Sequence, residues 1–242
     1  MIYIMSDIHG QYDRYIEMLK QINFSENDFL YILGDILDRG PKSFEILFDI
    51  MNRKNVTLFL GNHEHMMLTY LNGQNRRSWM HPANGGKETY QIFKTYDQTT
   101  KNEIITYLST NTTVVKHLDI GNHKYILSHT SAPIKVKDTY TKTYAKKGFL
   151  MDLLDLVWNE WPYEIFYTME RAHTDTPITL ISGHRITRHF SGKDEVYHVD
   201  FKNGYDWYDI DCGCAMGDLG GQLACLAIDE VTGEIIDTFY VK

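Results

Sequence analysis

Three short apolar runs, each ending in a polar turn, constrain this chain more than any other feature. Ile2, Tyr3, Ile4 and Met5 lead into Ser6 and Asp7. Phe29 to Leu33 lead into Gly34 and Asp35, and Val56 to Leu60 into Gly61 and Asn62. Runs this short, rich in β-branched and aromatic residues and closed by Gly or Asp, read as buried strands. Between them, Tyr12, Tyr15, Ile16, Leu19 and Ile22 recur at helical spacing, as do Phe44, Leu47, Phe48 and Met51 after Pro41 as a helix opener. Strands alternating with helices imply an α/β fold whose parallel sheet has right-handed crossovers.

Further along, residues 63–111 read as mostly helical, with breaks at Asn72–Gly73 and at 81–86. Two strands, Thr113–Val115 and Tyr125–Leu127, flank Gly121 and Asn122 as a hairpin. Residues 130–176 are the least regular part. Ile178–Ile181 returns to strand and stops at Ser182, Gly183 and His184. From Val196 the pattern is short strands, ending in a hairpin about Thr232 and Gly233. With no repeat and no low-complexity linker, one domain over 1–242 is the simplest organisation.

Composition narrows the function classes. The 242 residues carry 24 Lys+Arg against 32 Asp+Glu, a formal charge of −8. That balance argues against general nucleic-acid binding, which needs a basic surface. Apolar runs fall short of the roughly 18 residues of a membrane span, and the first residues lack the basic segment and cleavage site of a signal peptide. Three cysteines do not make a disulfide framework. A cytoplasmic protein is expected.

Metal-binding side chains gather just beyond the expected strands, where α/β sheets bind ligands. Asp7 and His9 follow the first strand, Asp35 the second, Asn62 and His63 the third. His129 follows the strand at 125–127, and His184 follows that at 178–181. Any one of these alone is more often a cap or turn residue. Recurring at five strand ends, they point together to a metal centre. Oxygen and imidazole donors without thiolate suit manganese, iron or zinc. Asp7, His9, Asp35, Asn62, His129 and His184 make six donors, more than one tetrahedral ion needs, and two-metal centres serve phosphoryl transfer. Glycines before Asp35, Asn62 and His184 remove a Cβ where backbone must crowd a site.

The blocks Asp7-Ile8-His9-Gly10, Gly34-Asp35-Ile36-Leu37-Asp38-Arg39-Gly40 and Gly61-Asn62-His63-Glu64 resemble the three signatures of the phosphoprotein phosphatase branch of the calcineurin-like metallophosphoesterases. His129, Gly183-His184 and Ile210-Asp211-Cys212-Gly213 extend the likeness over nearly the whole chain. The compact length, and Trp79 followed by Asn84-Gly85-Gly86, look more like bacterial and phage members. The resemblance implies a four-layer α/β/β/α sandwich with two mixed sheets. It implies two divalent ions per chain, manganese first, with iron or zinc as alternatives. Asp7, His9 and Asp35 would hold one ion. Asp35, bridging, would hold the other with Asn62, His129 and His184. A metal-bridging hydroxide would be the nucleophile. His63 would be the general acid, oriented by Asp38, and Arg39 would grip the phosphate. Trp79 and Asn84 are expected either to line the substrate groove or simply to pack.

The leading expectation is a Ser/Thr-protein-phosphatase-like phosphomonoesterase acting on a phosphorylated protein. The alternative is a symmetrical dinucleoside tetraphosphate hydrolase, and from another class a non-catalytic metal-binding interaction module. The chain departs from the family at Thr130-Ser131, where members usually carry Ala-Gly after the histidine. Glu160 stands where a second phosphate-gripping Arg is expected, leaving Arg171, Arg185 or Arg188 as candidates. A basic run from Lys135 to Lys147 reads as a solvated face, and Cys212 and Cys214 as small packed residues.

Overall fold

Alternation along the first strands sets the architecture. In the computed structural model, which describes residues 1–74, 76–130, 157–158, 169 and 173–242, β1 spans Ile2–Met5, β2 Phe29–Ile32 and β3 Val56–Leu58. Tyr3, Met5, Leu30 and Ile32 point to one face, and Ile4 and Tyr31 to the other, as a period of two requires. The first face is covered by α1 (Tyr12–Gln21), through Tyr15, Met18 and Leu19, and by α2 (Ser43–Met51), through Phe44, Leu47 and Ile50. Pro41 lies two residues ahead of α2, whose N-cap is Lys42.

Residues 62–111 are helical, as their pattern predicts. They form α3 (Asn62–Leu71), α4 (Arg76–Trp79), α5 (Gly86–Thr95) and α6 (Gln98–Thr106), with a short 3₁₀ turn at Pro82–Asn84 and a π turn at Tyr107–Asn111. The chain then builds β4 (Val115–Ile120), β5 (His123–Ser128), β6 (Ile178–Ser182), the single turn α7 (Arg188–Ser191), β7 (Tyr197–Asp200) and β8 (Tyr205–Asp209). It returns to the first sheet with β9 (Leu223–Ile228) and β10 (Ile235–Val241).

Two five-stranded sheets result, ordered β10-β9-β1-β2-β3 and β4-β5-β6-β8-β7. Both are mixed. β1–β2, β2–β3, β5–β6 and β6–β8 pair in parallel, with β3 at one edge, while β1–β9, β9–β10, β4–β5 and β7–β8 pair antiparallel. Ile4, Leu226 and Ile228 of one sheet meet Tyr125, Leu127 and Ile181 of the other in a shared inner core. Ile126, Leu180, Tyr205 and Trp207 face outward, against Val157, Met169 and Phe190. The four-layer sandwich follows.

One boundary differs from the sequence pattern. The hairpin strand β4 begins at Val115 and runs to the turn, because Lys116 to Asp119 pair with β5 despite their polarity. Thr113 instead bridges Phe59 in parallel, extending the third strand. The expected Thr232–Gly233 hairpin joins β9 to β10, and Gly233 takes φ +75° there. The basic run 135–147, Glu160 and Arg171 lie outside the described residues. Among the described residues, no helix is long and apolar enough to cross a membrane.

Candidate metal centre

The strand ends converge because the loops beyond them are bonded to one another. Asp7 N donates to the Gly34 carbonyl, His9 N to Asp35 and Gly10 N to Ile36, which fastens the loop after β1 to the loop after β2. Gly183 N donates to the His129 carbonyl, fastening the loop after β6 to that after β5. Close approach demands glycine. A Cβ on Gly61 would lie 2.1 Å from Asp35 Oδ1, and one on Gly183 2.2 Å from Asp7 Oδ2. Backbone strain gathers at the same place. Of eight described non-glycine residues with positive φ, six are Asp7, His9, Asp35, Asp38, Arg39 and His184.

All six expected donors meet there, and all but His184 are nearly or fully buried. Asp35 is central. Its Oδ2 lies 3.7 Å from His9 Nε2 and 3.9 Å from His63 Nε2, while its Oδ1 lies 3.5 Å from His129 Nε2. Asp7 Oδ1 lies 3.9 Å from His9 Nε2. Asn62 Oδ1 lies 3.0 Å from His129 Nε2 and 3.1 Å from His184 Nδ1. Two groups of donors therefore share Asp35: His9 with His63, and His129 with His184.

Protonation makes this arrangement informative. His9 Nδ1 is 2.8 Å from the Leu37 carbonyl, and His129 Nδ1 is 2.7 Å from that of Leu33. A carbonyl only accepts, so each Nδ1 carries the proton. Burial, and then the charge of Arg39, hold His9 well below the usual imidazole range; burial and then His184 do so for His129. Both rings are neutral, with a lone pair at Nε2. Those lone pairs face carboxylate and amide oxygens, which are also acceptors. Acceptors converging on acceptors fit a divalent cation, with the Nδ1 bonds fixing the ligand tautomers. His184 is pushed down to about 3 by burial and then by Arg185.

The carboxyls show the complementary effect. Burial and then Asp211 raise Asp7 well above the carboxylate range, and burial and then Asp7 raise Asp35. A cation reverses that logic by supplying the missing charge.

His63 differs from the other histidines. Its Nδ1 is 2.7 Å from Asp38 Oδ2, a carboxylate rather than a carbonyl. Burial lowers its pKa, opposed by the bond to Asp38. Arg39 spans the opening, with Nη1 donating to His9 Nε2 at 2.8 Å and Nη2 to His63 Nε2 at 3.3 Å.

The two residues expected to line a groove or to pack have these surroundings. Trp79 is 0 % exposed and donates Nε1–H to Asp38 Oδ2 at 2.8 Å. It stands behind Asp38, which matches the packing alternative for this residue. Asn84 donates its amide to the Ser78 carbonyl at 2.8 Å, within the α4–α5 connection. Among the candidate second arginines, Arg188 is committed to Asp194 by a two-point ion pair.

Two features escaped the sequence reading. Glu64, 0 % exposed, accepts from the backbone N–H groups of Asp35, Ile36, Leu37 and Gly61. Its signal was position: the third residue of α3 is where a glutamate reaches back over a helix start. Asp209 and Asp211 are buried, and the charge of Asp211 acts on both Asp7 and Asp209.

Comparison with known proteins agrees with this geometry. A symmetrical bis(5'-nucleosyl)-tetraphosphatase of Wigglesworthia glossinidia brevipalpis is 42% identical over 71 residues, 28% of this chain and 26% of that protein. The chain thus spans about a quarter of that relative's length. Serine/threonine-protein phosphatase 2 of Salmonella typhimurium is 28% identical over 159 residues, 65% of this chain and 67% of the relative. A solved protein serine/threonine phosphatase from Saccharomyces cerevisiae shares the fold with a TM-score of 0.64 at 14% identity, covering 100% of this chain and 80% of its own. The family model for the calcineurin-like phosphoesterases matches residues 1–210, a span that takes in every candidate metal donor above, and the chain belongs to that family.

Proposed function

We propose that the chain is a dinuclear-metal-dependent phosphoester hydrolase, acting as a phosphomonoesterase on phosphorylated Ser/Thr side chains. One observation carries this reading: the two oxygens of Asp35 face two separate groups of imidazoles, in which the neutral rings of His9 and His129 turn lone pairs toward acceptor oxygens, with Arg39 the one donor to them among the described residues. Asp7, His9 and Asp35 would hold one ion, and Asp35, Asn62, His129 and His184 the other. Bound there, two divalent ions supply Lewis acidity and a nucleophile of lowered pKa.

The remaining chemistry belongs to the chain's own residues. Arg39 presents a planar fork of donors to the phosphate oxygens. His63 Nε2, beside Arg39, delivers a proton to the departing alkoxide. Asp38 holds His63 Nδ1–H, which fixes the ring and stabilises its protonated form. Geometry alone would also admit His63 as a ligand, since its Nε2 stands 3.9 Å from Asp35 Oδ2, against 3.7 Å for that of His9. The carboxylate partner favours the acid role, because the ligand-type rings His9 and His129 bond to carbonyls instead.

A second reading, symmetrical hydrolysis of a dinucleoside tetraphosphate, is favoured by the higher identity of the tetraphosphatase over its short match. The longer match to the Salmonella phosphatase supports the first. A panel of phosphoserine peptide, phosphotyrosine peptide and diadenosine tetraphosphate with added Mn²⁺ separates them. Turnover led by the phosphoserine peptide is expected. Turnover led by the tetraphosphate selects the second reading, and none on any substrate, with manganese, iron or zinc, refutes both.

A further inference from the structure

Trp79 is caged before it reaches Asp38. Its ring stands 5.3 Å from that of Tyr70 on α3 and 6.0 Å from that of Tyr90 on α5. Its edge rests on Gly86, where a Cβ would lie 2.4 Å from Cδ1 and 2.5 Å from Nε1. The neighbouring Gly85 backs onto Arg39, where a Cβ would lie 2.5 Å from the backbone nitrogen. Asn84, Gly85 and Gly86 therefore press one turn of chain against both the indole and the loop carrying Asp38 and Arg39. The indole cannot turn away, and its N–H meets the oxygen that also receives His63 Nδ1–H.

Asp38 depends on that arrangement. It is 0 % exposed, and among the described residues Oδ2 takes both donors while Oδ1 takes none. A buried carboxylate needs donors to stay in place. With the indole gone, His63 alone would fix the carboxylate it is meant to be fixed by.

We propose that Trp79 is a positioning residue for proton delivery: its Nε1–H locks the Asp38 carboxylate in the rotamer that aims His63 at the leaving group. The proposal rests on reading His63 as the general acid. A lock of this kind matters most when the leaving group needs a proton.

The test is Trp79→Phe, which keeps a ring and removes the donor, assayed with saturating Mn²⁺ on p-nitrophenyl phosphate, phenyl phosphate and a phosphoserine peptide. The expected loss in kcat is graded, about threefold for p-nitrophenyl phosphate and about thirtyfold for the peptide, with bound metal equal to wild type. In a His63→Asn background the same substitution should change peptide turnover by less than about twofold, because the group it serves is gone. An equal loss on all three substrates, or full multiplication in the double variant, overturns the proposal while leaving the hydrolase reading intact. A wild type inert on every substrate refutes that reading and the proposal with it. Should Trp79→Phe fail to fold, the indole N–H resonance of Trp79 in ¹⁵N-tryptophan-labelled protein must move on His63→Asn. A stationary resonance overturns the proposal.

Discussion

Replacing Glu64 by glutamine tests whether this one buried carboxylate holds the loop after β2. Oε2 accepts from Asp35 N at 2.8 Å and Gly61 N at 3.0 Å, and Oε1 from Ile36 N at 3.0 Å and Leu37 N at 3.1 Å. An amide keeps one oxygen and sets an N–H₂ against two backbone N–H groups. Two charge-assisted bonds are lost at about 2 kcal/mol each, roughly 4 kcal/mol together. Part of this is offset. Burial, opposed by these backbone bonds, pushes the Glu64 carboxyl from 4.5 up to about 6. Keeping the charge at pH 7 therefore costs about 2 kcal/mol, which the neutral amide avoids. The net loss at pH 7 is about 2 kcal/mol. Urea unfolding of chelated protein should show the midpoint falling by about 1 M for a slope near 2 kcal/mol/M. The sign with pH follows from the raised value. Glu64's own contribution is complete below pH 4.5 and is lost as pH rises through about 6, so the gap between wild type and variant narrows from pH 4.5 to 7. A midpoint within about 0.2 M of wild type at both pH 4.5 and pH 7 would refute the reasoning, since two buried backbone donors cannot lose their acceptor without effect.

The other predictions concern metal, close packing and thiols. Mn²⁺ at about one hundred times its Kd should stabilise the chelated protein by about 2.7 kcal/mol per independent site. That raises Tm by roughly 5–10 °C for one site in a chain of this size, and an unmoved melting curve would count against a metal centre. Gly61→Ala puts a methyl 2.1 Å from Asp35 Oδ1. It should lower bound metal measured by elemental analysis and destabilise by about 1–3 kcal/mol; retained metal with unchanged stability would contradict the packing. Cys212, Cys214 and Cys225 are free and buried. Burial raises all three thiols, with Cys214 pushed from 9.0 up to about 12. A thiol reagent at pH 8 should find them only after denaturation. The stability they contribute is complete below pH 9 and is lost as pH climbs through 12, because the unfolded thiols ionise first. Rapid labelling of the native protein would refute this.

The metal-facing residues were legible because a strand end is a local event. A glycine or aspartate closing an apolar run marks both the stop and the place where ligands bind, so Asp7, Asp35, Asn62 and His184 could be read off in order. Asp38 and Trp79 could not be joined in this way. They lie 41 residues apart, on a loop and at the end of a short helix, and only the tertiary packing of Tyr70, Tyr90 and Gly86 brings the indole to the carboxylate. Periodicity finds a buried Trp but says nothing about what its N–H meets. β4 was shortened for a related reason. His117 and Asp119 are polar, and their pairing with Ile126 and Lys124 depends on a partner strand.

The acidic total of the chain acquires a different meaning once its carboxylates are located. Asp7, Asp35, Asp38, Glu64, Asp209 and Asp211 are all buried, and in this protein they gather at one end of the sandwich, with the strained backbone of six site residues. Such a cluster cannot be a stability device by itself. Asp7, Asp35, Glu64, Asp209 and Asp211 all have pKa values raised by burial first, which means their ionisation opposes folding at neutral pH. Only a partner of opposite charge repays that opposition, and the one arginine within hydrogen-bonding reach of His9 and His63 is Arg39 among the described residues. Arg185 acts on Asp209 and Asp211, whereas Asp7 and Asp35 feel only Arg39 among the described cations, so divalent ions are the fitting source of further positive charge there. With them, the end of the molecule richest in carboxylates becomes the end that attracts an anion. The formal −8 therefore bears on the surface as a whole. It says nothing against a phosphorylated substrate at the one place where Asp7 and Asp35 would hold metal.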